Sequence, residues 1–261
     1  MVCILAAAVF ARGAELKPET TAAYDRYIKL TEAEFAARSP QNFLWVDSHQ
    51  KEKTQVWLSQ NIVTPRETLD HGEKIEVPDA VIQHWLSVVY LETATFDRLK
   101  NTLCDFANYK YWFGPQVIDS RVDKHDGDTF NFFLRLNKKQ LTQVVLNADF
   151  KANFVATDPK HGMVSVRSTR IGETLHPHNK KSYDQEVPAD DENGYLWRLN
   201  IYWRFETSDV GEYLEMDLIS ISRASGALHP GKYLNGFQTF PRELGDRLFD
   251  AIQKGFPAPH K

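Results

Sequence analysis

Two stretches of period-two alternation limit what this chain can fold into more than any other feature. Over residues 142–155, Val144, Leu146, Ala148, Phe150, Ala152 and Phe154 alternate with Asn147, Asp149, Lys151 and Asn153. Over residues 195–205, Trp197, Leu199, Ile201, Trp203 and Phe205 fall on one side. Successive side chains of a strand point to opposite faces, so runs this long predict an antiparallel sheet with one apolar and one polar face.

Further strands extend that sheet. Residues 129–136 turn Phe130, Phe132, Leu134 and Leu136 to one face and Asn131 and Arg135 to the other. They join a strand over 117–122 through Asp126-Gly127-Asp128, an Asp-Gly pair suited to a hairpin turn. Residues 163–171 and 213–222 add two more, the second with Leu214, Met216 and Leu218 opposed to Glu215 and Asp217. Residues 85–91 are short, apolar and rich in β-branched and aromatic types, which predicts a buried strand ahead of the others. After it, Phe96, Leu99, Leu103 and Phe106 recur every three or four positions behind Thr95, a suitable N-cap, and a second helical stretch runs over 107–113. Near the end, Pro241 precedes a stripe of Leu244, Leu248, Phe249, Ile252 and Phe256, the pattern of a final amphipathic helix.

The N-terminal side reads differently. Residues 2–11 are an apolar run, followed by Arg12-Gly13-Ala14 and charged sequence from Glu15, as in a signal-peptide core and its small-residue cleavage zone, although no Lys/Arg stretch leads it. Spanning a bilayer takes roughly 20 apolar residues, and no segment of the chain has them. Helical spacing returns over 18–39 with Tyr24, Tyr27, Ile28 and Phe35. Residues 40–78 carry only short apolar islands among turn formers. These readings predict a leader over 1–14, a helical and irregular appendage over 15–80 and a main α+β domain over 81–257, in a periplasmic or secreted protein.

Charge and cysteine content narrow the function. The 31 Lys+Arg against 35 Asp+Glu give a net charge of −4, so no electrostatic footprint for nucleic acid exists. Of the two cysteines, Cys3 lies in the expected leader, and Cys104 alone reads as a small buried apolar group without chemistry.

A strand, two helices, about six antiparallel strands and a long closing helix resemble, in that order, the START-like helix-grip superfamily, which also holds polyketide cyclases. Residues 132–139, 168–171 and 196–205 are similar to those of uncharacterised exported bacterial members, notably acidobacterial ones, with the resemblance covering about 82–256. It implies a curved antiparallel sheet of about seven strands gripping the C-terminal helix, and a concave wall behind which an apolar molecule could lie. On the strand parities, Phe132, Leu134, Val144, Leu146, Val166, Trp197, Leu199, Ile201, Trp203, Leu214, Met216 and Leu218 face inward, towards Leu248 and Ile252. The competing expectation is that these side chains close into a solid core.

Polar candidates are few. Val164 and Val166 set an inward parity that Arg170 would inherit, placing a guanidinium that could hold an anionic head group, unless a bulge turns it outward. Arg198, Arg204, Glu215 and Asp217 are expected as cross-strand pairs on the solvated face, each pair contributing a few tenths to about 1 kcal/mol. His176-Pro177-His178 reads as a solvated loop and not a metal site. His84, at the entrance of its strand, is a general-base candidate whose ordinary alternative is a structural hydrogen bond. No nucleophile, metal or cofactor motif occurs. The sequence therefore predicts an exported carrier of an apolar small molecule or lipid, without catalytic residues, metal or cofactor. The alternatives are a cyclase- or hydrolase-like enzyme using Arg170 and His84 at the cavity mouth, and a non-catalytic envelope protein whose N-terminal helix binds a partner.

Overall fold

The computed structural model describes residues 16–58, 61–92, 94–139, 143–209 and 211–224, together with Arg247. In chain order these form α1 (Pro18–Ala36), α2 (Gln50–Trp57), β1 (Ile62–Pro65), a small hairpin of β2 (Leu69–Asp70) and β3 (Glu73–Lys74), then β4 (Ala80–Leu91), α3 (Phe96–Cys104) and α4 (Tyr109–Trp112). The meander β5 (Val117–Asp126), β6 (Thr129–Lys139), β7 (Gln143–Asp158), β8 (His161–Glu173), β9 (Arg198–Thr207) and β10 (Glu212–Arg223) follows. The fold is α+β. One curved antiparallel sheet of eight strands runs in the order β1-β4-β10-β9-β8-β7-β6-β5. The C-terminal helix expected from the stripe through Leu248 and Ile252 lies outside the described residues.

The sheet has one strand more than the sequence pattern predicts. That strand, β1, comes from the stretch where periodicity is poor, and it pairs only with β4. Pro65 explains its place, because a residue without an N–H is tolerated at a sheet edge and not in its centre.

Local chemistry sets the other elements. Thr95 caps α3 by accepting a hydrogen bond from the Arg98 amide at 3.4 Å. Gly127 turns the β5–β6 hairpin with φ +56°, a backbone conformation that costs glycine no steric penalty. α1 starts on Pro18 and buries Thr20, Tyr24, Tyr27, Ile28 and Thr31 along one stripe.

The sheet separates two interiors. On its inner face, α3, α4 and the short turn between them lay Leu99, Leu103, Phe106, Tyr109, Trp112 and Phe113 over the apolar side chains of β4 to β10. Phe106 stacks on Phe132 with ring centroids 4.0 Å apart. On the outer face, α1 packs Tyr24, Tyr27 and Ile28 against Trp197, Tyr202, Ile219 and Ile221. Beside it, Leu44, Val46 and Val56 cover Leu86, Val88, Tyr90 and Tyr213.

Candidate functional site

Register assigns the inner wall residue by residue. Across the sheet, Ser87, Met216, Trp203, Val164 and Phe154 lie beside one another, and the next inner row holds Trp85, Leu218, Ile201, Val166, Ala152 and Phe130. Phe132, Leu134, Val144, Leu146, Val166, Leu199, Trp203, Leu214, Met216 and Leu218 all belong to one buried apolar cluster, with Ile201 packed against it. Gly162 leaves the space that the Phe205 ring fills, since a Cβ there would lie 2.4 Å from that ring. Ionisable inner side chains stand towards the ends of the strands. Burial lowers the Lys138 amine, opposite Val144 on β6, to about 7, and raises the Glu212 carboxyl at the start of β10 to about 7.

Two inward expectations fail. Trp197 joins the outer cluster under α1, because β9 begins at Arg198 and the period-two rule does not reach the residue before it. Its amide instead donates to the Ile221 carbonyl at 2.9 Å. Arg170 also faces outward. Asp149 pairs with Arg170 and Phe150 with Ser168, so Thr169 is an extra residue in β8 that reverses the parity beyond it. The Arg170 guanidinium donates to Asp149 Oδ2 at 2.8 Å and to Glu186 Oε2 at 2.5 Å, with its side chain 48% exposed.

Beneath α1 the outer face carries a buried charged network in place of the solvated pairs expected. Arg204 and Glu215 are direct cross-strand partners, and the Arg204 guanidinium bonds Glu215 Oε1, reaches Asp217 Oδ2 at 3.3 Å and donates to the Phe43 carbonyl at 3.1 Å. Arg204, Glu215 and Asp217 are all within 1% of complete burial. Arg38 and the Trp45 amide bond Glu215 at 3.3 and 2.6 Å, and Arg66 bonds Asp217 at 2.9 Å. Arg198 pairs with Asp25 of α1 at 3.5 Å instead of joining this network.

His84 lies inside the network, 4% exposed, and not at a cavity mouth. Its Nε2 sits 2.8 Å from Asp217 Oδ1 and its Nδ1 3.0 Å from the Tyr27 hydroxyl. That hydroxyl accepts from the Thr68 amide at 2.8 Å, which leaves its own proton for His84 Nδ1. Burial alone would raise Asp217, but the His84 hydrogen bond, with Arg204 and Arg66, holds the carboxyl well below the usual carboxylate range. Burial also pushes Glu215 up, against the pull of Arg204. His84, Tyr27 and Asp217 thus fasten α1 to the sheet.

Comparison with known proteins bears on the architecture. No family model matches the sequence, and no curated protein matches it either. Among solved structures, human STARD10 superposes with a TM-score of 0.50 at 10% identity, over 75% of this chain and 70% of its own. The fold is START-like. A STAR-related lipid transfer protein fragment from Xanthomonas axonopodis (TM-score 0.47, 13% identity, 73% of this chain and 98% of that one) shares it. So does the ZhuI aromatase/cyclase from Streptomyces sp. R1128 (TM-score 0.43, 13% identity, 68% and 100%).

On this START-like sheet the remaining polar candidates are scattered. Cys104 is half-buried, and burial pushes its thiol up to about 12. His178 Nδ1 lies 3.3 Å from Gln143 Oε1, and among the described residues no group of His, Cys, Asp and Glu could hold a metal ion. A pocket of about 340 Å³ opens on the outer face, lined among others by Glu32, Phe35, Arg38, Phe43, His161, Met163 and Arg204. Its polar side chains largely satisfy one another. The Tyr202 hydroxyl donates to Glu32 at 2.5 Å, Arg167 donates to the same carboxylate at 2.6 Å, and His161 Nδ1 lies 2.7 Å from Asp158.

Proposed function

We propose that the protein binds an apolar small molecule or lipid against the inner face of its START-like sheet and acts as its carrier. The observation that carries this reading is the composition of that face. One continuous apolar cluster spans β4 to β10, whereas Arg204 of β9 and Glu215 and Asp217 of β10 are turned to the other face and locked under α1, and the inner Glu212 stands only at the start of β10. Such a wall offers an apolar ligand burial at about 25 cal/mol per Å². Among the described residues its ionisable side chains, Lys138 and Glu212 among them, stand apart towards the strand ends and concentrate no charge that would demand an ionic one. The leader-like run over residues 2–14 supports export, so the carrier would work in the periplasm or outside the cell.

Protein isolated from its natural host should show a lipophilic adduct by native mass spectrometry and begin near Glu15. A lipid panel should raise its melting temperature, since a ligand at a hundred times its Kd stabilises the folded state by about 2.7 kcal/mol. Protein without an adduct and indifferent to every lipid would contradict the carrier reading, and a chain beginning at Met1 would remove export. The enzyme alternative has no comparable support, because Arg170 and His84, its two named residues, both lie on the outer face.

A further inference from the structure

The inner wall is not uniformly apolar. One row, Gln83 on β4, Ser220 on β10, Leu199 on β9 and Ser168 on β8, carries three uncharged polar side chains at adjacent register positions. Trp85 lies two residues along β4 on the same face, roughly 7 Å from Gln83 along the strand. Ser168 is already engaged, its hydroxyl accepting from the Leu199 amide at 2.9 Å. Gln83 is not: it is 7% exposed, and its Oε1 is buried with no hydrogen-bond partner. The Trp85 Nε1–H is likewise buried and unpartnered.

Leaving a buried donor or acceptor unmatched costs about 1–3 kcal/mol each, and such groups in folded proteins normally have partners. Here one acceptor and one donor stand orphaned two residues apart on the same face of β4. A hydroxyl has the chemistry for both, because it can donate to the carbonyl oxygen and accept from the indole. A carboxylate or phosphate would find no cation in this row and would meet the Gln83 oxygen with like charge. We infer that the ligand of the inner face is an uncharged apolar molecule bearing a hydroxyl group, and that Gln83 and Trp85 form the subsite that takes this hydroxyl. The inference rests on the carrier reading and adds the chemical class of the cargo.

The test compares 1-dodecanol with its methyl ether, which keeps the chain and the acceptor oxygen but cannot donate. Wild-type protein should bind the alcohol about tenfold more tightly than the ether. Gln83→Met, which removes the acceptor at similar volume, should bring the two within twofold of each other. Trp85→Phe, made separately, should weaken both probes by a similar factor, since both accept from the indole. Equal binding of alcohol and ether by the wild type would overturn the inference while leaving the carrier intact. A preference for the alcohol that survives Gln83→Met would do the same. Wild-type protein that binds neither probe would overturn the carrier reading and this inference with it.

Discussion

Asp217 concentrates the energetics of the outer face in one residue. It is fully buried, shared by His84, Arg66 and Arg204, and these partners outweigh the desolvation that would otherwise raise its pKa. Removing one partner from such a network costs far more than a surface pair contributes, because the remaining charges stay buried without compensation. Asp217→Asn should therefore destabilise the protein by roughly 3–5 kcal/mol in denaturant unfolding at neutral pH. The sign of the pH dependence follows from the lowered folded-state pKa. The carboxylate's contribution is complete above the unfolded value of about 3.9 and is lost as pH falls towards the folded one. The gap between wild type and variant should thus be widest above pH ~4 and narrow below it. A gap that stays constant through this range would show that the substitution acts through packing alone.

α1 is the element whose role the alternation patterns leave out. Period two tells which side chains share a face; it does not tell what lies on that face. Arg204, Glu215 and Asp217 therefore read as solvated, although the sequence holds a signal that could have found their cover. Thr20, Tyr24, Tyr27 and Thr31 put four hydroxyls on one stripe of α1, an odd choice for a purely apolar contact and a fitting one over a charged sheet. Tyr27 is the clearest case, since its hydroxyl serves both the Thr68 amide and His84 Nδ1. Tyr27→Phe orphans both, at about 1–3 kcal/mol for each buried group. Amide exchange in α1 should then speed up at least tenfold while the interior strand β7 keeps its protection. Equal acceleration in both would mean that α1 and the sheet open only together. Elements with their own local code were legible at the outset: α3 through Thr95, the β5–β6 hairpin through Gly127, β7 and β9 through alternation. β1 and the hairpin β2–β3 were not, because two to four residues hold too few periods to register.

At the scale of the whole molecule, the START-like architecture follows from the order of elements, while the placement of site residues depends on details below that level. Phe132, Leu146, Leu199, Trp203, Leu214 and their neighbours lie on the inner wall because unbroken alternation carries each of them there. Arg170 and Trp197 leave it for local reasons: one extra residue at Thr169, and a strand that starts one position late. The result is a sheet with opposed characters, an apolar inner wall with the unmet polar pair Gln83 and Trp85, and an outer face whose charges hold α1. The central claim is that cargo lies against the inner wall, and photolabelling tests it most directly. A long-chain alcohol carrying a diazirine in its chain, bound and irradiated, should leave adducts on inner residues such as Leu199, Trp203 and Leu214. Adducts confined to the outer pocket around Phe35 and Phe43, or to exposed Trp57 and Leu58, would contradict the account.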